Sequence, residues 1–284
     1  MARYLPAGFS GRKLLHEHNA EYLIWQREAA AVRNPLVGWL LRREHHRVRE
    51  YEAKILDRFD AVFAVSEPDR QALIALGAPE GRVRVLPNLP DPALLDAPAL
   101  AFERSPPVVL FFGTLSWKPN IDSATRMLRD IFPQVHARLP EARLVVAGRD
   151  APPALRAQAA RTKGAEFRGD AIDAEALYTR ARVFVEATRS GGGTKLKVLN
   201  ALARGLPVAV SPEGAEGLEV VPGESALVAD SDTAFAAAVV RLLTDEVLWQ
   251  RLSERGRVLI RERYLADAAF GALEESLSGV PARG

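Results

Sequence analysis

Ser190-Gly191-Gly192-Gly193-Thr194-Lys195 follows the strand-like run Arg182-Val183-Phe184-Val185-Glu186 and opens the helix-like run Leu196 to Arg204. This order of strand, glycine run and helix reads as an anion site. Successive glycines let the backbone approach a ligand closely, and a helix N-terminus offers unpaired N–H groups and the positive end of its dipole. Lys195 and Lys197 add full charges. The dipole alone contributes about 0.3 to 1 kcal/mol at an exposed helix end, so the lysines matter if a diphosphate is to be held. The competing reading is a ligand-free strand-to-helix turn, which needs one or two glycines rather than three. The stretch is not a P-loop, because the spacing of Gly to Gly-Lys-Ser/Thr is absent.

Outward from this stretch, apolar strand-like runs alternate with amphipathic helical ones, which argues for parallel sheets with crossover helices and an α/β fold. Strands are expected at Val108–Gly113, Arg143–Gly148, Glu166–Arg168, Arg182–Glu186, Val208–Val210 and Ala226–Val228. Helices are expected at 121–139, 173–180, 196–204, 232–243, 246–262 and 266–278. Gly205 is a natural left-handed helix stop, with Pro207 entering the next strand. Residues 108–262 thus form a complete doubly wound domain, and 263–284 a closing helical segment free to pack back on the first domain.

Residues 1–95 read as a partial Rossmann-like domain. Three short strands, Arg12–Leu15, Ala61–Val65 and Arg82–Leu86, accompany a helical region over 22–56 broken near Asn34-Pro35 and a helix over 68–76. The proline-rich stretch from Pro87 to Pro107 reads as interdomain chain, with 96–107 as the linker. The glycine-rich loop that would start such a domain is not in this chain. The expectation is either a truncated start or a reduced relative.

Among the 284 residues, 48% are hydrophobic, enough for a sizeable core, and the formal net charge is +2. So small an excess gives no general electrostatic case for nucleic acid, and any anion binding must be local. There is no cysteine, which excludes disulfides and thiolate metal sites and is compatible with a reducing cytosol. No apolar run of about 18 residues exists, and the first residues lack the apolar core of a signal peptide. A cytoplasmic protein is expected.

His18-Asn19-Ala20-Glu21, Val65-Ser66-Glu67-Pro68-Asp69, Leu86-Pro87-Asn88 and, most specifically, Gly191 through Gly217 together resemble the nucleotide-sugar glycosyltransferases of the GT-B fold, in particular the large retaining family 4, or group 1. Gly113 to Asn120 looks like the first loop of the second domain in a subgroup of that family. The resemblance covers nearly the whole chain. It implies two facing Rossmann-like domains, with the donor on the second and the acceptor on the first. It also implies a sugar transferred, with retention, from a nucleoside diphosphate in glycan or polysaccharide biosynthesis.

The donor site implied comprises Thr114, Gly191, Gly192, Gly193, Thr194, Lys195, Lys197, Asn200 and Glu216, with Lys197 and His18 as the catalytic pair and Glu21 shaping the wall near His18. No metal or other cofactor is expected. The sequence departs from the family at Asn200 and Gly192, where relatives usually carry Glu. Asn200 can exchange hydrogen bonds but brings no charge. A non-catalytic nucleotide-binding or scaffold protein, or an inactive fragment of a longer enzyme, therefore stays open beside the transferase.

Other signals carry less. His16 and His18 stand at alternate positions without a third metal ligand. Asp230-Ser231-Asp232 has a metal-site spacing but fits a helix N-cap better. Arg42, Arg43, His45, His46, Arg47 and Arg49 make either a solvated helix face or a weak contact with anionic lipid at the membrane's inner face. Trp117 packs or lines a cleft. The acceptor, whether glycan, lipid or small molecule, is not written in these residues.

Overall fold

The apolar runs pair as strands of two separate parallel sheets in the computed structural model, which describes residues 9–32, 34–169, 173–190 and 192–278. The first sheet has β1 (Leu14–Glu17), β2 (Ala61–Ala64) and β3 (Val83–Val85) in that order. Between β1 and β2 run α1 (Glu21–Ala31) and α2 (Pro35–Leu56), packed on each other, and α3 (Glu67–Ala75) follows β2. The break between α1 and α2 has a local cause. Asn34 accepts hydrogen bonds from the Leu36 and Val37 N–H groups, and Pro35, with no N–H to lose, starts the new helix.

The second sheet takes β4 (Val108–Phe112), β5 (Arg143–Ala147), β6 (Ala165–Arg168), β7 (Val183–Glu186), β8 (Val208–Val210) and β9 (Leu227–Val228) in the order β6-β5-β4-β7-β8-β9. The chain winds outward from β4 to β6, then returns to β7 on β4's other side. That reversal puts the topological switch point between β4 and β7, where open α/β sheets bind ligands at their carboxyl ends. Two apolar clusters cover the two faces of this sheet. α9 (Leu196–Arg204) buries Val198, Leu199 and Leu202, at about 1.5 to 3 kcal/mol each. It ends at Gly205, whose φ of 78° is the left-handed cap expected.

The helix expected over 121–139 begins earlier and is interrupted. α5 (Lys118–Arg126) passes through a π-helical turn at Met127–Ile131 into α6 (Phe132–Arg138). Pro133 cannot donate to the preceding turn, and the wider turn absorbs the missing bond.

Residues 96–107, expected as the interdomain linker, are bonded along the second domain. Just before them α4 (Pro92–Asp96) buries Leu94 and Leu95 in the second domain's core. Arg204 donates to the Pro98 carbonyl at 2.8 Å, and Arg182 donates to the Ser105 carbonyl while lying 4.1 Å above the Phe102 ring. Prolines leave carbonyls without helical partners, and arginines of the second domain take them up. After α11 (Asp232–Thr244) and α12 (Glu246–Arg263), α13 (Ala266–Ser278) packs against α12.

In the first domain a carboxylate holds α1. Glu52, on α2 and only 5% exposed, accepts from the Glu21 and Tyr22 N–H groups at 2.9 and 3.0 Å. Burial pushes its carboxyl up to about 7, against those two N–H groups, which favour the charge. The folded protein therefore binds more protons than the unfolded chain between about pH 4.5 and pH 7, and stability falls as pH rises through that window. The stability difference between wild type and Glu52→Gln, from urea unfolding at pH 5 and pH 8, should fall by up to about 3 kcal/mol at the higher pH. A difference independent of pH would place that proton elsewhere.

Candidate functional site

At the switch point a cavity of about 440 Å³ opens between the loop after β4, the loop after β7 and the N-terminus of α9. Its walls include Thr114, Gly192, Thr194, Lys195, Lys197 and Asn200. Six of the residues expected at the donor site thus meet around one space. Gly191 lies outside the described residues. Gly193, Glu216 and His18 do not line it.

α9 begins without a side-chain cap. Its first N–H groups lack intrahelical partners by helix geometry, and the residues at this end, Lys195, Leu196 and Lys197, line the cavity. Lys197, in the first turn, is ion-paired with Glu186, donates to Asn120 Oδ1 at 2.6 Å and sits 4.8 Å from the centre of the Phe111 ring. Glu186 ends β7 and is 1% exposed, and it accepts from Ser123 Oγ at 2.9 Å and from the Thr188 N–H at 3.1 Å. Asn120 in turn donates to the Thr114 carbonyl at 2.8 Å. This chain of bonds ties the loop after β4 to the helix after β7.

Lys195 is half-buried and donates to the Gly193 carbonyl at 3.0 Å. Burial pulls its ammonium below the usual lysine range, although the charges of Glu216 and Glu186 oppose that shift. Asn200 accepts from the Asp91 N–H at 3.0 Å and lies against the hydroxyl of Tyr178, which burial holds above its ordinary pKa and so keeps protonated. Trp117 is half exposed and lines the cavity.

The first domain reaches this site at several points. Asn88 donates to Thr194 Oγ1 at 2.7 Å. Arg27 of α1 grips Glu216 with two bonds of 2.8 and 2.6 Å. Lys118 lies 3.5 Å from Glu28. Gly193, at φ 64°, is packed so closely on the His18 carbonyl and Asn19 Oδ1 that no Cβ fits there. At Gly192 a Cβ would meet Ile24 at 3.4 Å, an ordinary contact.

His18 itself is exposed, its ring centroid 4.9 Å from that of His16, and Asn19 forms the cavity wall beside it. His16 meets the Leu86 carbonyl at 3.0 Å. Among the described residues no group of three or more His, Asp or Glu could hold a metal ion. Ser231 is the cap of α11, accepting from the Ala234 N–H at 3.2 Å, while Asp232 binds Arg126 and Arg189. Glu186, Asn19 and Arg27 are the site residues that the sequence did not single out. The legible signal for Glu186 was an acid closing an apolar strand just ahead of the glycine run.

Residues 106–245 match the family model described as "Glycosyl transferases group 1", and residues 11–94 match "Glycosyltransferase Family 4". Three solved structures of similar fold are informative. Anabaena HepE in complex with UDP and glucose aligns with a TM-score of 0.70 at 15% identity, over 94% of this chain and 71% of HepE. Sucrose-phosphate synthase from Thermosynechococcus elongatus aligns at 0.68 and 21% identity, over 96% of this chain and 70% of that one. A point mutant of S. aureus TarM, in complex with Fondaparinux, alpha-GlcNAc-glycerol and UDP, aligns at 0.68 and 12% identity, over 82% of this chain but only 47% of TarM. No curated protein matches the chain.

The two neighbouring glycines should respond differently to the same methyl group. Gly193→Ala places a Cβ against the His18 carbonyl at a left-handed φ and should cost about 2 kcal/mol or more. Gly192→Ala should stay within about 0.5 kcal/mol of wild type. Denaturant unfolding of both variants checks this, and equal effects would mean that the two domains do not meet at Gly193.

Proposed function

The chain belongs to the group 1, family 4 glycosyltransferases of GT-B type, and from that premise we propose that it takes a sugar from a nucleoside-diphosphate sugar seated in this cavity and transfers it, with retention, to an acceptor on the first domain's side. The observation that carries the reading is the uncapped start of α9 opening, with Lys195 and Lys197, into a cavity at the switch point. The volume of about 440 Å³ is in the range of small-ligand sites. UDP is the first nucleotide to test, because the HepE structure is a complex with UDP and glucose.

Breaking the bond between sugar and diphosphate leaves negative charge on the leaving phosphate. Fixed donors aimed at that charge contribute about a hundredfold or more in rate each. In this reading the α9 amides, Thr194, Lys195 and the remaining N–H of Lys197 meet the diphosphate. The two lysines supply the countercharge that a metal would otherwise bring. Asn200 takes the ribose. No protein nucleophile is required, and His18 is the first-domain group assigned to the donor sugar, supported by the contact of its carbonyl with Gly193. Glycan or polysaccharide biosynthesis in the cytoplasm is the setting we assign. Among the described residues no helix is long and apolar enough to cross a membrane.

A second reading, a nucleotide-binding protein without transfer, is favoured by Asn200, whose oxygen is already engaged by the Asp91 N–H and which brings no charge. Transfer or donor hydrolysis that appears only in Asn200→Glu would establish it.

Calorimetric titration with UDP, GDP and ADP should give saturable binding of one nucleotide. Lys195→Met should weaken that binding about tenfold or more, the loss of one charge-assisted contact, while its unfolding midpoint holds or rises because a half-buried charge is removed. Lys197→Ala should abolish binding and also destabilise by about 3 to 5 kcal/mol, since it strands the buried Glu186. A folded protein that binds none of the three nucleotides, or one bound equally well by Lys195→Met, would refute the placement of the donor.

A further inference from the structure

The outward face of α2 carries a feature that the donor site does not use. In its first turns Leu36 is 75% and Trp39 55% exposed, with Val37 and Leu40 also open to solvent. Scattered exposed apolar side chains are ordinary, but an adjoining group that includes a Trp marks an interaction site. The tip is held in place, since Asn34 caps it and Pro35 starts it. The opposite side of the helix is committed to the protein, with Glu52, Ile55 and Leu56 buried.

Basic residues continue the same face. At helical spacing Leu36, Leu40, Arg43, Arg47 and Lys54 fall along one side. Arg42, Arg43, Arg47, Arg49 and Lys54 are exposed. Of the acids beside them, Glu44 is paired with Arg47 and Glu50 with His46. An apolar tip with a Trp, followed by a basic flank, is the pattern of a helix lying in a bilayer interface. Trp rings favour the headgroup level, and lysine and arginine the anionic lipid there.

We propose that this face docks the protein on an anionic lipid bilayer, with Leu36 and Leu40 among the upper acyl chains, Trp39 at the headgroup level and Arg43, Arg47 and Lys54 on the headgroups. Charge complementarity selects this occupant. A second copy of the chain would bring the same basic flank against itself, and like charges across an interface oppose pairing. The inference does not rest on the donor reading, because docking uses no residue of the cavity.

Co-sedimentation of the full chain with vesicles tests it. Vesicles of phosphatidylcholine with about 30% phosphatidylglycerol should bind at least about tenfold more strongly than phosphatidylcholine alone, and added salt should weaken the binding. The double variant Leu36→Ser, Trp39→Ser should lower that binding about tenfold. Arg43→Gln with Arg47→Gln should remove the preference for phosphatidylglycerol. All four side chains are exposed, and matching circular dichroism spectra establish that the variants fold. Absence of binding to either vesicle, or binding that the serine variant leaves unchanged, overturns the proposal. So does a lipid-free dimer in sedimentation velocity that the serine variant dissolves, because the face would then join copies of the chain.

Discussion

The ion pair between Glu186 and Lys197 is the interaction on which the cavity depends. A carboxylate 1% exposed at the end of an apolar strand costs several kcal/mol in lost hydration unless its charge is answered. Ser123, Thr188 and Lys197 answer it from three different segments. In doing so they fix the start of α9, the loop after β7 and the face of α5 relative to one another. The pair also limits what Lys197 can offer. An ammonium has three N–H donors, and Glu186 and Asn120 occupy two of them. One donor remains for a ligand, so the proposed anion site is a shared charge beside a helix end and not a free lysine.

The second constraint is that one domain finishes the other's site. Thr194 is held by Asn88, Asn200 by Asp91, Glu216 by Arg27 and Gly193 by the His18–Asn19 turn. These contacts are polar and partly exposed, and such pairs are typically worth about 0.2 to 1 kcal/mol each because water replaces them readily. Polar interfaces of this kind permit relative domain motion. In the proposed reading, a nucleotide enters by exchanging these contacts for its own without disturbing either core.

How much of this was legible follows from where each signal lies. β7, α9 and β8 could be bounded closely because the glycine run, Gly205 and Pro207 act locally on the backbone. The prolines of 96–107 marked chain between domains, but the side chains that anchor the segment, Arg182 and Arg204, stand far along the sequence and could not be read with it. Arg27 and Glu28 carried no signal of their own, since nothing nearby in sequence announces Glu216 or Lys118. Glu186 was visible as an acid ending a strand, but its burial and its partner Ser123 exist only once α5 is packed. Local chemistry could be read, whereas partners brought by the fold could not.

The α1–α2 hairpin joins the two surfaces that matter most. α1 brings Ile24 to Gly192 and Arg27 to Glu216 at the edge of the cleft, and α2 turns Leu36 and Trp39 outward. Glu52 links the helices by capping α1 from within α2, and Asp69 holds the turn before α1 by accepting from the Ala20 N–H at 3.3 Å. Separating helices packed along each other and tied at the cap would strand buried polar groups. The exposed tip of α2 and the wall where Gly193 meets the first domain are thus connected through one tied pair of helices.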